Sequence, residues 1–428
     1  MIDFPNSPTT GQIFQNWKWD GTKWVAIGSG ASITVSDTAP ASPTAGALWW
    51  DSVGGQLYLY YTDPNSSEWV PATNQGSPPR SPPPSNPNKL INPFMEIDQA
   101  NEGAAVTATG SSRCIDGFYA TITSSSATAS SQRSTTAPPT GYSFSLAYTM
   151  GTAASSIAAG DNIQIFQNIE ADDINDTAFG TANAQPLTFS FWAACTVAGT
   201  YAVSLRNGAA NRSYVSPFTI TTANTWQLFT VTIPGDTAGT WALSGNAGAM
   251  SVVIALMSGT TYQTSSPNTW LAGIFLAATG ITNTFAQTAG AVFRLGPCKL
   301  EVGSAATPML RQSFQQELAR CQRYYEKSYD PGTALGTVTA NGVSAINAQM
   351  PSGVNGGTTA SFKVTKRAQP TMTLYSPGTG ASGKARDLYN AVDITVGVGP
   401  ALNAFSWSCA PSAVSYAMGA NWVADARL

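Results

Sequence analysis

Short runs in which apolar and polar residues alternate dominate the chain from residue 88 to about residue 308. Leu187, Phe189 and Phe191 share one face of such a run, and the stretches 201–205 and 229–233 repeat the pattern. Period-two alternation places one set of side chains on one face of a strand. Clusters of Ser, Thr, Gly and Asn separate the runs. Many short, half-buried strands between such turns predict a β-sandwich or barrel.

The first 72 residues contain a degenerate repeat. The segment 5–14 returns at 40–49, and each copy runs on to a Trp-Val pair, at Trp24 and at Trp69. The second copy is longer by an insertion around residues 51–55, which predicts a hairpin turn. Six of the 12 tryptophans lie in this region. Small β-units fill their few core positions with large aromatic rings, although sugar stacking and docking onto a larger protein are alternative uses.

The rest of the chain divides by composition. Residues 73–87 read TNQGSPPRSPPPSNP and predict a semi-rigid, polyproline-like linker. A connecting helix is predicted over residues 313–330, because Ser313 and Gln316 have the spacing of a capping box. Its apolar positions would form one stripe: Phe314, Leu318, Cys321 and Tyr325. Residues 331–428 return to the β pattern and predict a smaller C-terminal β-domain. The predicted fold class is therefore mainly β, with repeat units at 1–72 and a sandwich at 88–312.

Composition excludes several kinds of chemistry. Charged residues make up 10% of the chain and the net charge is −3, so nucleic-acid binding by counterion release is not expected. The chain has no histidine, which removes Ser-His-Asp triads and most zinc sites. The five cysteines are scattered and never form a C-x-x-C pair, so we expect free thiols. Neither a signal peptide nor a membrane-inserting segment is expected.

Two adjoining segments resemble bacteriophage tail fibre and tail appendage proteins. They are residues 296–308 (GPCKLEVGSAATP) and 317–327 (ELARCQRYYEK). Residues 92–99 resemble the opening strand of the same module, and residues 180–192 and 223–226 resemble its middle. Cys298 stands where Gln or Val is usual, and Leu310 where Phe or Glu is common. The resemblance implies a jelly-roll β-sandwich similar to carbohydrate-binding modules, and it carries no catalytic residue.

The resemblance also implies a role. We expect a fibre-type virion protein, made in the host cytoplasm and carried on the outer surface of the particle, that attaches to a host-surface polysaccharide. It would be a homotrimer, with residues 1–72 bound to a tail, neck or adaptor protein and residues 331–428 at the distal tip. A spacer, collar or head decoration protein without receptor contact is the alternative. A capsular depolymerase is less favoured, because the acidic residues are scattered and no β-helix repeat is present. We therefore expect no enzyme.

Two sets of side chains are candidate site residues. Sugar contacts are predicted from aromatic and arginine side chains outside the core pattern of the strands: Tyr214, Trp241, Tyr262, Trp270, Arg206 and Arg212. Each could instead pack in a core or a subunit contact. A structural calcium ion could bind a group of acidic residues: Glu170, Asp172, Asp173 and Asp176. A solvated acidic loop is the alternative, and no other cofactor is expected.

Overall fold

The computed structural model describes residues 5–15, 17–26, 33–63, 66–72 and 88–428. The chain forms two compact units, Met1–Ser85 and Asn86–Leu428. The Pro-rich linker predicted at residues 73–87 lies outside the described residues. Within the described ranges, no helix has the length and apolar character needed to cross a membrane.

The first unit contains two small sheets. Its strands are β1 (Ile13–Phe14), β2 (Trp17–Trp19), β3 (Trp24–Ala26), β4 (Ile33–Ser36), β5 (Leu48–Asp51), β6 (Gln56–Thr62) and β7 (Ser67–Pro71). Strands β1–β3 form an antiparallel sheet, and β4–β7 form a second sheet in which β4 and β5 run parallel. The predicted hairpin turn at residues 51–55 joins β5 to β6, which confirms that prediction.

The repeat in the sequence is also a repeat in hydrogen bonding. In the first copy the Gly11 N–H donates to the Trp19 carbonyl over 2.8 Å, and in the second the Gly46 N–H donates to the Tyr60 carbonyl over 2.9 Å. Gly11 and Gly46 have φ values of 90° and 85°. Glycine adopts this region without steric cost, so the same turn requires it in both copies.

Aromatic contacts repeat in the same way. The ring centroids of Trp19 and Trp24 lie 5.6 Å apart, and those of the equivalent Tyr60 and Trp69 lie 5.2 Å apart. Trp49, which packs edge-on against Trp69, is buried. These rings therefore pack against one another, as expected for β-units with few core positions.

The second unit begins with a sandwich of two antiparallel sheets. Its strands are β8 (Val106–Thr107), β9 (Ser112–Ile115), β10 (Phe118–Thr123), β11 (Ala129–Ser134), β12 (Ser145–Met150), β13 (Asn162–Glu170), β14 (Leu187–Cys195), β15 (Gly199–Asn207), β16 (Arg212–Ile220), β17 (Gln227–Ile233), β18 (Gly248–Ser258), β19 (Gln263–Thr264), β20 (Trp270–Ala272), β21 (Ala277–Ala278) and β22 (Val292–Val302). Short 3-10 helices lie at Ala171–Thr177, Thr260–Tyr262 and Asn283–Phe285.

The sandwich has a seven-stranded and a six-stranded sheet. Their strand orders are β20-β16-β15-β18-β13-β10-β9 and β17-β14-β22-β12-β11-β8, while β19 and β21 form a separate parallel pair. The chain passes repeatedly from one sheet to the other, as in a jelly roll. Leu187, Phe189 and Phe191 face the interior between the sheets, as predicted from the alternation. The predicted β-sandwich and the mainly β fold class are therefore confirmed.

One helix follows the sandwich, α1 (Phe314–Gln322). Ser313 and Gln316 form the predicted capping box at its start. The predicted end at residue 330 is wrong, because Tyr325–Lys327 forms strand β23 instead. Tyr325 is buried and pairs with Asp425 in the last strand of the chain. Tyr325, predicted as the last residue of the apolar helical stripe, is therefore buried by strand pairing and not by a helix. Phe314, the first residue of that stripe, is 46% exposed.

The remaining strands surround a second core. They are β24 (Ser344–Ile346), β25 (Gly356–Ser361), β26 (Thr371–Tyr375), β27 (Lys384–Asp387), β28 (Val392–Thr395), β29 (Gly397–Pro400), β30 (Ala404–Cys409) and β31 (Met418–Asp425). Strand β31 pairs with β23, β24, β26 and β27, and β25, β30 and β29 form a separate antiparallel sheet. Leu374, Trp407 and Trp422 contribute to this core.

Ion pairs join the two cores. Arg323, just after α1, forms a two-pronged pair with Glu170 at the end of β13, with N–O distances of 2.8 and 2.7 Å. Arg113 on β9 lies 2.7 Å from the carboxylate of Asp425 on β31. Residues 331–428, predicted as a separate distal domain, therefore pack against the sandwich within one compact unit.

All five cysteines are buried and free. Burial raises the pKa of the Cys114 thiol to about 12 and that of Cys409 to about 11. These thiols are therefore protonated and unreactive at neutral pH. The prediction of free thiols is confirmed.

Candidate functional site

Three of the predicted sugar-contact residues meet in a packed aromatic cluster. The ring centroid of Trp270 lies 5.5 Å from that of Tyr214 and 5.6 Å from that of Trp241. Tyr214 is 4% exposed and Trp241 is 8% exposed. The indole N–H of Trp270 donates to the Pro234 carbonyl over 2.7 Å. These rings belong to the sandwich core or its edge, and Tyr214 and Trp241 leave almost no ring face open to a ligand.

Arg212, the fourth predicted residue in this region, is held by a carboxylate. Its Nε lies 2.9 Å from Asp236 Oδ2, and the same oxygen accepts the indole N–H of Trp241 over 3.1 Å. The hydrogen bond to Asp236 raises the pKa of Arg212 above its ordinary value. A side chain engaged in this way supports the aromatic cluster and has little capacity left for a ligand.

The other two predicted residues, Arg206 and Tyr262, lie together on the outer face of the seven-stranded sheet. Arg206 sits on β15 with its neighbour Leu205 in the core, so the arginine points away from the interior. The Tyr262 ring covers part of the same face and interacts electrostatically with the arginine. Burial lowers the pKa of Arg206, and its Nε has no hydrogen-bond partner among the described residues.

Strand register places a row of aromatic and small side chains across the middle of this outer face. Tyr119 on β10 is opposite Phe166 on β13, which is opposite Val253 on β18. The Tyr119 and Phe166 rings stack at 5.1 Å with an interplanar angle of 13°. Val253 is in turn opposite Ser204 on β15. Phe166 is half-buried and also packs against the apolar cluster around Val253, and it is the more exposed of the two rings.

Polar rows lie on both sides of the aromatic row. On one side Thr121 is opposite Gln164, and the Thr121 Oγ1 and Gln164 Oε1 atoms have no hydrogen-bond partner among the described residues. On the other side the Ser251 hydroxyl donates to Asn168 Oδ1 over 2.5 Å, and Ser251 is opposite Arg206. Buried polar atoms almost always have partners, so the unpartnered Thr121 Oγ1, Gln164 Oε1 and Arg206 Nε atoms are an unusual feature of this face, which Arg294 Nε shares on the other sheet.

Sequence reasoning missed most of this face. Strand β13 reads NIQIFQNIE, with Ile163, Ile165 and Ile169 in the core. The opposite side of the strand carries Gln164, Phe166 and Asn168. The sequence did contain a signal for this face. Phe166 stands between Gln164 and Asn168, so an aromatic residue lies on the otherwise polar side of an alternating strand.

The predicted calcium ligands point to different partners. Glu170 pairs with Arg323, and Asp176 lies 2.6 Å from Lys89 Nζ. Asp172 accepts the Gly245 N–H over 2.6 Å. Burial raises the pKa of Asp173, which disfavours the charged form that a metal needs. In the part of the chain that the structure describes, no three His, Cys, Asp or Glu side chains are grouped to hold a metal ion. The structure does not bring these four carboxylates together.

Comparisons with known proteins gave matches in fold alone. No protein-family profile matches the chain, and no curated protein matches it. Among solved structures, the enzymatically active domain of tailspike protein 4 of bacteriophage CBA120 is 9% identical with a TM-score of 0.27, over 50% of this chain and 21% of that one. The chain thus spans about a fifth of that tailspike chain.

Carbohydrate-binding modules are among the other matches. TmCBM61 in complex with β-1,4-galactotriose is 9% identical with a TM-score of 0.25, over 51% of this chain and 99% of that one. The tandem CBM22-1–CBM22-2 domain of Paenibacillus barcinonensis Xyn10C is 12% identical with a TM-score of 0.23, over 79% and 91%. At these TM-scores we draw no argument about function from the matches.

Proposed function

We propose that this chain is a fibre-type component of a bacteriophage particle that attaches to a glycan on the host surface. The observation that carries the proposal is the outer face of the seven-stranded sheet, where Phe166 lies between polar rows with unpartnered hydrogen-bonding atoms. Carbon-bound hydrogens on one side of a sugar ring pack against an aromatic ring, while the hydroxyls need donors and acceptors at its edge. The amides of Gln164 and Asn168 carry both donors and acceptors, and the guanidinium of Arg206 carries donors.

Charge also suits a neutral or weakly charged glycan. Charged residues make up 10% of the chain, and Arg206 is the charged side chain at the centre of the polar row beside Phe166. Because the Arg206 guanidinium is partly desolvated and forms no ion pair within the described residues, a ligand oxygen would relieve part of its burial cost. The remaining contacts would be hydrogen bonds to amides and hydroxyls.

The virion context rests on the resemblance of residues 296–308 and 317–327 to phage fibre proteins. In this proposal residues 1–72, which belong to the first unit, bind a tail, neck or adaptor protein, and residues 88–428 face the host. The first unit is small and rich in aromatic rings, which suits docking against a larger surface. We also propose that the assembled fibre is a homotrimer on the outer surface of the particle.

The glycan-binding test uses a panel of purified bacterial lipopolysaccharides and capsular polysaccharides immobilised on a surface. The full chain should bind at least one of them, and Phe166→Ala and Arg206→Ala should each weaken that binding about tenfold or more. Arg294→Ala is the matched control, because Arg294 is a half-buried arginine with an unpartnered Nε on the other sheet. It should bind normally.

The outcomes separate the possible roles. Equal loss of binding in Arg206→Ala and Arg294→Ala would reject the proposed face. Absence of binding by the full chain across hosts would favour a spacer, collar or decoration protein, and release of soluble oligosaccharide would indicate a depolymerase. A truncation pair tests which end of the chain binds the particle. Residues 1–87 should associate with particles that lack the protein, and residues 88–428 should bind host cells and block infection.

A further inference from the structure

A cavity of about 400 Å³ lies within the second unit, away from the outer sheet face. The sandwich contributes Arg133 and Phe144 to its wall, α1 contributes Phe314 and Gln322, and the C-terminal part contributes Lys363. The volume falls in the range of roughly 300–1,000 Å³ that is typical of small-molecule sites. The cavity joins three parts of the chain that are far apart in sequence.

The side chain of Gln322 lines this cavity without a hydrogen-bond partner among the described residues. Gln322 is 6% exposed, and its side-chain amide has no hydrogen bond to any residue that the structure describes. Its carbonyl accepts a hydrogen bond from Lys366 Nζ over 2.5 Å, which fixes the backbone at the end of α1. The Gln322 amide atoms are not among the fully buried atoms without a partner, so they are open to the cavity and available to a ligand as both donor and acceptor.

Two cations of the wall lack carboxylate partners. The Arg133 guanidinium lies 5.0 Å from the centroid of the Phe144 ring and donates to the Glu96 carbonyl over 2.6 Å. Within the described residues, neither Arg133 nor the exposed Lys363 has an acidic side chain within ion-pair distance. Neither cation is therefore neutralised by a salt bridge, although Arg133 interacts electrostatically with Asp98.

The carboxylates of the same wall are already engaged. Glu96 pairs with Arg311 at 2.7 Å, and Glu102 pairs with Lys327. Asp98 accepts two backbone N–H groups and interacts electrostatically with Arg133. Because Glu96 and Glu102 are paired, the two cations Arg133 and Lys363 outnumber the one remaining carboxylate, Asp98, in the cavity wall.

We propose that this cavity binds a carboxylate-bearing sugar of the hexuronic acid class. Arg133 and Lys363 would hold the carboxylate, and Gln322 would bind a ring hydroxyl. Phe144 and Phe314 would line the carbon-bound face of the ring. The inference goes beyond the attachment role, because it requires neither the outer sheet face nor a virion.

The test compares glucuronate with glucose, which differ in the carboxylate, by ligand-observed NMR titration of the full chain at low salt. Glucuronate should bind at least about tenfold more tightly than glucose, since the carboxylate adds charge-assisted hydrogen bonds. Lys363→Gln should remove about tenfold of the glucuronate affinity without changing the melting temperature, because Lys363 is exposed. Gln322→Met should weaken both sugars. Lys384→Gln, a lysine outside the cavity wall, should change nothing.

Equal affinity for the two sugars, no binding of glucuronate, or normal glucuronate affinity in Lys363→Gln would each overturn the inference. Failure of the attachment proposal is distinguishable from these results. Arg206→Ala should keep its glucuronate affinity while losing the immobilised polysaccharide, and Lys363→Gln should show the reverse.

Discussion

A buried ion pair holds strand β23 to the C-terminal core, and breaking it should be costly. Lys366 Nζ lies 2.5 Å from Glu326 Oε2, and both side chains are fully buried. The carboxylate also accepts the Lys363 N–H over 3.0 Å, and the ammonium lies 4.8 Å from the centroid of the Phe362 ring. Burial already lowers the pKa of Lys366, although Glu326 opposes that effect.

Glu326→Gln should lower the free energy of unfolding by about 3–5 kcal/mol, because it leaves a buried ammonium without its counter-charge. The double variant Glu326→Gln with Lys366→Met removes that charge and should recover more than half of the loss. Raising the pH toward 10 should partly rescue the single variant. A lysine with a lowered pKa in the folded state is deprotonated there first, so stability rises with pH above that pKa.

Urea midpoints followed by tryptophan fluorescence measure these changes, since Trp407 and Trp422 lie in the affected core. Asp176→Asn is the control, because Asp176 forms an ion pair with Lys89 but its side chain is 47% exposed. It should cost less than about 1 kcal/mol. The reasoning is refuted if Glu326→Gln is as mild as Asp176→Asn, or if the double variant is as unstable as the single one.

Three further predictions concern stability. Burial raises the pKa of Asp116 from 3.8 to about 7, so the folded chain holds a proton that the unfolded chain releases, and stability falls between about pH 4 and pH 7. Asp116→Asn should flatten that fall in urea midpoints at pH 5 and pH 8, and an unchanged slope would contradict the assignment. Ser313→Ala should cost about 1 kcal/mol in thermal melting through loss of the capping box, with Ser313→Thr close to native. Phe191→Ala should cost about 3–5 kcal/mol, and a loss below about 1 kcal/mol would show that this ring is not in the core.

Local patterns were sufficient to predict the strands and the start of the helix. Alternation identified the inward faces of β14, β15 and β17, and the Ser313–Gln316 spacing identified the capping box. The end of the helix was beyond such reasoning, because Tyr325 pairs with Asp425, one hundred residues later. An apolar residue at helical spacing fits a buried strand equally well, and its pairing partner decides between them.

The site was less predictable because it depends on which strands become neighbours. Arg206 and Tyr262 were recognised as candidates, and the structure places them on one face. Tyr214 and Trp241 had the same appearance in sequence but pack inside. The acidic residues near 170 looked like one cluster, yet Glu170 binds an arginine 153 positions away. Charge spacing along a chain cannot reveal such partners.

Other parts of the chain cover the two ends of the outer sheet face. Its two aromatic rings, Tyr119 and Phe166, therefore differ in exposure. At one end the Tyr119 hydroxyl donates to the Leu428 carbonyl, and Arg113 lies over the Tyr119 ring. Tyr119 is consequently buried, whereas Phe166 beside it is half-buried. At the other end residues 275–281 cover the small side chains of β15, β16 and β18. In the proposed attachment role, a glycan would contact the middle of the face beside Phe166, and Tyr119 would hold the Phe166 ring in its orientation.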